Sequence, residues 1–201
     1  MADQYYDFMT PRFRLAFNNV LKADEDGKRS LCMLFENGET LDEIKALAAK
    51  LMTEKFGDKS KWPKGFKKPW REQSEKEGEY DGFEAGGLYM NASTYRDVQV
   101  VYSDGETPII DAKDFYSGCY CYAKCQMKWF EAKDEKTGAV TNKGIRILFS
   151  HVMKDDDGEP LGFKEQDASE VFAPLAKKMN TKKSASSAFD DDDDAEDDPL
   201  S

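Results

Sequence analysis

Between Ser60 and Arg71 the chain reads SKWPKGFKKPWR, in which Lys61, Lys64, Lys67, Lys68 and Arg71 stand among Trp62, Phe66 and Trp70 with no acid. The chemistry of such a stretch is recognition rather than reaction. Ammonium and guanidinium groups meet phosphates, and flat rings stack on flat ligands. Pro63 and Pro69 reduce the conformational freedom lost on binding. The alternative is that the tryptophans fold back on the core while the lysines only solubilise the loop.

A second set lies in FYSGCYCYAKCQMKWFEA, residues 115–132. Strand side chains alternate between faces. One face then carries Cys119, Cys121, Ala123, Cys125, Met127 and Trp129, an apolar set suited to a core. The other carries Tyr116, Gly118, Tyr120, Tyr122, Lys124, Gln126, Lys128 and Phe130. Rings and lysines in a row suit a nucleic-acid strand, because every base has a face that stacks on a ring, at roughly 1–3 kcal/mol per base. Arg146, on the expected neighbouring strand, extends the cationic row. An amphipathic strand whose tyrosines shield a loop explains the same pattern, and at this level both readings stand.

Other chemistries find little support. His151 is the sole histidine, and Cys119, Cys121 and Cys125 lack the paired C-x-x-C spacing of a metal site. KDDDGEP, residues 154–160, reads as a turn, since Met153 occupies the place of the first ligand of a calcium loop. No phosphate-cradling or dinucleotide fingerprint occurs. The expectation is a protein that is not an enzyme and needs no metal or cofactor.

The elements that position these residues follow from periodicity. RFRLAFNNVL alternates at Phe13, Leu15 and Phe17 and predicts a strand; SLCMLFEN predicts a second. In TLDEIKALAAKLMTEKF the period changes, with Leu41, Ile44, Leu47, Ala48 and Leu51 on one helical face, and Thr40 with Glu43 fits a capping box. The prolines and Gly65 predict a long loop from Ser60, continued by EQSEKEGEYDGFEAGG. LYMNAS, VQVVY, the 115–132 segment and GIRILFSHVM are strand-like, the last two joined by a hairpin connection, and a short helix over 167–179 closes the domain. Five or six strands with one helix predict a mainly β chain: an OB-type barrel with an inserted helix over residues 1–180, and a flexible linker and acidic tail over 181–201.

The net charge of -11 is mostly that tail. Asp190, Asp191, Asp192, Asp193, Asp194, Glu196, Asp197 and Asp198 stand in the last twelve positions without a base. Without them 29 basic residues face 32 acids, leaving -3. A run of like charge repels itself and stays extended. It either solubilises the protein or competes, as a polyanion, for the cationic surface. No apolar run approaches the ~20 residues of a bilayer span, so no membrane partner is expected. The N-terminus has no hydrophobic signal core, which predicts reduced cytosolic thiols.

WPKGFKKPWRE, YDGFEAGGLYMNAST, PIIDAKDFYSGCYCYAKCQMKWFE, KGIRILFSHVMKDDDGEPLG and the acidic terminus together resemble bacteriophage single-stranded-DNA-binding proteins with an OB fold, over about Pro11 to Pro174. The resemblance implies a protein that coats phage single strands during replication, recombination or repair, in the cytoplasm of the infected host and with little sequence preference. It implies DNA contacts from Tyr116, Tyr120, Tyr122, Lys124 and the Trp62–Arg71 loop, and a tail that restrains DNA binding and engages polymerase or helicase. The helix falls earlier than in a standard barrel. Two other classes fit the residues: a protein-interaction module of a recombination or assembly complex, and an RNA-binding OB protein.

Overall fold

The computed structural model describes residues 4–162 and 172–173. The chain order is β1 (Tyr6–Met9), β2 (Phe13–Asn19), β3 (Arg29–Phe35), α1 (Asp42–Phe56), β4 (Trp70–Glu72), β5 (Leu88–Thr94), β6 (Gln99–Val101), β7 (Tyr120–Lys133) and β8 (Val140–Asp156). Five strands close a ring in the order β7–β2–β3–β5–β8 and back to β7. All pairs in the ring are antiparallel except β5–β8, which is parallel through Ala92 and Ile147. That order, with one parallel pair closing a five-stranded Greek-key barrel, is the OB arrangement. The three short strands attach outside the ring: β1 to β7, β4 to β5 and β6 to β8.

The long β7–β8 hairpin curls because its register shifts at three places, between Tyr120 and Cys121, Lys124 and Cys125, and Ala132 and Lys133. A bulge bends its strand and increases local twist. The predicted inner face of β7 is the face that fills the barrel. Cys119, Cys121, Ala123, Cys125 and Met127 are buried there with Leu15, Met33, Phe35, Met90, Ile147 and Phe149. The four cysteines are free thiols.

Helix α1 buries Ile44, Ala48, Leu51 and Met52, and Phe56 meets Trp129 edge-on with centroids 4.9 Å apart. The expected Thr40–Glu43 capping box does not form. The helix begins one residue later, with Leu41 at the cap in a left-handed backbone (φ 55) and no side-chain capping bond. Leu41 is fully buried, and its N–H is taken by Glu39 Oε1. Burying a leucine is worth about 1.5–3 kcal/mol, against about 1 kcal/mol for a cap, so packing decides the helix start. The expected long loop from Ser60 is also interrupted. Trp70–Glu72 pairs with β5, opposite Met90, Tyr89 and Leu88. This edge position tolerates the preceding proline.

The helix expected over 167–179 lies outside the described residues except for 172–173, which are helical. The acidic tail lies outside them entirely.

Candidate nucleic-acid interface

The basic segment leaves α1 at Gly57 and is stitched to the barrel along its length. Trp62 Nε1 donates to the Gly57 carbonyl at 3.1 Å. Phe66 packs against Trp129, with centroids 5.9 Å apart. Lys67 N–H donates to the Lys143 carbonyl (2.9 Å), and Ile145 N–H to the Lys67 carbonyl (3.0 Å). This approach requires Gly144, where a Cβ would overlap the Lys67 carbonyl. Trp62, Phe66 and Trp70 are all half-buried against the core. They line an apolar groove with Met52 and Ile145, flanked by Lys45, Lys59 and Lys68. Lys61, Lys64, Lys67, Lys68 and Arg71 are exposed. The loop thus presents cations on a scaffold fixed by its own rings, an arrangement suited to meeting a phosphate backbone.

The outward residues of β7 divide by position. Tyr120 and Tyr122 are half-buried near its start. The Arg12 guanidinium lies 4.1 Å from the Tyr120 ring centroid, and Arg12 Nε donates to Asp155 at 2.7 Å. Tyr116, just before the strand, donates its hydroxyl to Asp157 Oδ1 and the Gly158 carbonyl, both at 3.0 Å. Burial, then the Asp157 bond, raises this phenol's pKa. Buried Lys154 sits beneath, donating to the Asp114 carbonyl and to Asp157. Asp157 is held below the usual carboxylate range, first by the Lys154 bond and then by Tyr116. Lys124 is exposed at mid-strand. Lys128 is 8 % exposed, and its ammonium donates to the Tyr5 hydroxyl at 3.2 Å. Arg146, its register partner on β8, is exposed.

The structure therefore brings the basic loop close to Arg146, since Lys67 bridges to Gly144 two positions away. It does not bring the loop to Tyr120. Phe66 meets Trp129, nine residues further along β7, or about 30 Å of strand at 3.3 Å per residue.

A third group was missed by the sequence reading. In an OB barrel the outer face of the second and third ring strands, with nearby loops, takes oligonucleotides; here those strands are β3 and β5. Half of this face is roofed. Ala16, Cys32, Leu34 and Tyr89 are buried beneath Phe83. Buried Gln73 pins the roof, donating to the Phe35 and Leu88 carbonyls and accepting from Glu84 N–H. Lys76 Nζ lies 5.0–5.5 Å from the rings of Phe17, Tyr80, Phe83 and Tyr89. Arg14 opens onto a cleft beside Tyr120, and its Nε is buried without a hydrogen-bond partner. The aromatic pair in YDGF was a usable signal; the backbone that places Phe17 beside it was not.

Among the described residues no group of three or more His, Cys, Asp or Glu could hold a metal ion. Nor is any described helix long and apolar enough to cross a membrane.

Comparison with solved structures gives the same architecture at low identity. The single-stranded DNA-binding protein from bacteriophage Enc34 aligns with a TM-score of 0.56 and 18% identity, covering 83% of this chain and 89% of that one. Its complex with ssDNA aligns with a TM-score of 0.57 and 18% identity over 78% and 89%. The gp2.5 single-stranded DNA-binding protein of bacteriophage T7 aligns with a TM-score of 0.52 and 11% identity over 86% and 94%. No curated protein sequence matches the chain. The sequence model built on the Enterobacter phage Enc34 ssDNA-binding protein, however, matches residues 7–199. With nearly the whole chain matched and the barrel shared, this protein belongs to the family of the phage Enc34 ssDNA-binding protein.

Proposed function

We propose that the protein binds single-stranded DNA with little sequence preference during phage replication, recombination or repair, in the cytoplasm of the infected host. Its family carries the reading, because a relative of the same fold has been solved in complex with ssDNA. The exposed cations of the 61–71 loop, with Lys124 and Arg146, supply phosphate neutralisation. Half-buried Trp62, Phe66, Trp70, Tyr116, Tyr120 and Tyr122 supply ring surface beside them, while buried Lys128 braces Tyr5. The protein acts as a binder and not as an enzyme. Residues 1–180 form the binding domain, and the acids from Asp190 to Asp198 form a tail that lowers DNA affinity and recruits polymerase or helicase.

A titration of labelled dT and rU oligonucleotides and a duplex tests this directly. Tightest binding to dT, weakening steeply with salt, is the expected result. Preference for rU would make it an RNA binder, and no binding to any of the three would make it a protein-interaction module.

A further inference from the structure

The apolar groove beside the basic loop has a lining of unusual make-up. Helix α1 contributes Ala48, Ala49 and Met52, and the chain after it contributes Trp62, Phe66, Trp70 and Ile145. Ala49 is exposed, so a bare methyl stands where a longer side chain would fill the trough. Met52 adds a flexible thioether, which adapts to whatever packs on it. None of the described lining comes from β3 or β5, so the groove lies apart from the barrel face that takes oligonucleotides in OB folds.

The rest of the lining is Lys45, Lys59 and Lys68, and no acid joins them. Among the described residues none of these three ammonium groups has an ion pair or a hydrogen bond. The lining also holds no amide, hydroxyl or carboxylate. A nucleobase buried here would leave the donors and acceptors of its edge unmet, whereas an apolar side chain has none to satisfy. Trp62 cannot supply a partner, because its one donor is spent on the Gly57 carbonyl. The walls therefore suit an apolar side chain, and the rim suits carboxylates around it.

We propose that this groove docks an acidic peptide segment of another protein: a bulky apolar side chain enters between α1 and the loop while flanking carboxylates meet Lys45, Lys59 and Lys68. The buried anchor supplies affinity, and the charges around it select the partner. Lys61, Lys64, Lys67 and Arg71 are not part of the lining, so a docked peptide leaves them to DNA and takes only Lys68 from it. The site adds a protein partner to the proposed single-strand binding and does not depend on it.

Tryptophan emission of the full chain reports on the groove, since Trp62 and Trp70 line it and Trp129, the remaining tryptophan, packs against Phe66. The probe is a short synthetic peptide of glutamates and serines with a central iodophenylalanine–leucine pair, whose heavy atom quenches an indole that it touches. Saturable quenching that weakens with salt is the expected result. The same peptide with alanines in place of that pair should compete about five-fold or more weakly. Ala49→Gln changes no charge at an exposed helical position, and should weaken the peptide by a similar factor while oligo-dT affinity stays as in wild type. Absence of saturable quenching, or equal competition by the alanine peptide, overturns the site. So does an Ala49→Gln protein that loses oligo-dT as much as peptide, which would assign the groove to DNA. A change in peptide-free emission on truncation after Ala188 would make the chain's own tail the occupant and overturn it too. Peptide binding without oligo-dT binding would overturn the proposed function and leave the site standing. Should Ala49→Gln fail to fold, the two peptides on wild-type protein decide the matter.

Discussion

The indole N–H of Trp62 donates to the carbonyl of Gly57 at 3.1 Å, tying the first ring of the basic loop to the residue that ends helix α1. The loop's charge is displayed because its aromatic residues hold it down, so the two halves of its composition have different tasks.

That bond has a measurable consequence. Trp62→Phe keeps a ring and removes the donor, and should cost about 1 kcal/mol of stability in urea denaturation. Trp62→Ala also removes the ring's packing against the core, for about 3 kcal/mol in all. A Trp62→Phe protein as stable as wild type would mean that the indole bond anchors nothing.

The exposed lysines act on salt dependence. For a single strand, each phosphate left without its cation should flatten the slope of log affinity against log salt by about 0.7. Lys64→Gln with Lys68→Gln should therefore flatten it by about 1.4, leaving thermal stability unchanged because both side chains are exposed. An unchanged slope would place both lysines off the DNA path.

Truncation after Phe189 removes all eight tail acids. Affinity for oligo-dT should rise, most at low salt, where screening is weakest. Equal affinity across the salt range would leave the tail as a solubiliser or a hook for partners.

Burial controls the thiols. It pushes Cys32 and Cys125 from an ordinary 9.0 up to about 12, and raises Cys121 and Cys119 as well. The unfolded chain releases these protons near 9.0 while the folded one keeps them. Their contribution to stability is therefore complete below that pH and disappears as pH rises toward about 12. Native protein at about pH 8 should resist a thiol reagent that labels all four cysteines after denaturation. The urea midpoint should fall less between about pH 8 and pH 10.5 in a Cys32→Ala, Cys125→Ala variant than in wild type.

What could be read in the sequence was what repeats. The two faces of β7 separate cleanly because fourteen strand residues expose the period-two pattern, and α1 shows its buried stripe for the same reason. Where one residue decides, the pattern misled or was silent. One extra residue on β2 turns Phe17 outward, reversing the side its alternation implies. Trp70–Glu72 is a strand only because β5 offers an edge, which no local signal announces. β1, four residues long, is too short to show a period and exists through its pairing with Met127 to Lys124. The site was legible as a composition, rings mixed with cations. It was not legible as a place, because the ~30 Å of β7 between Tyr120 and Trp129 depends on which strands the chain joins.

The ring has a consequence for the order in which the chain can fold. Its closure between β2 and β7 joins Phe13 to Cys121, 108 positions later, and pairings across such a span form slowly. The β7–β8 hairpin, with six residues between its strands, can form early by itself. A chain still emerging from the ribosome, with β2 to β5 made but β7 and β8 not yet synthesised, has the β2 side of its sheet unpaired and the β5 side covered by β4 only along Leu88–Met90. Such edges invite pairing with other chains. The vulnerable interval in this protein's life is therefore the time needed to add the last strands, after which the hairpin covers both open edges.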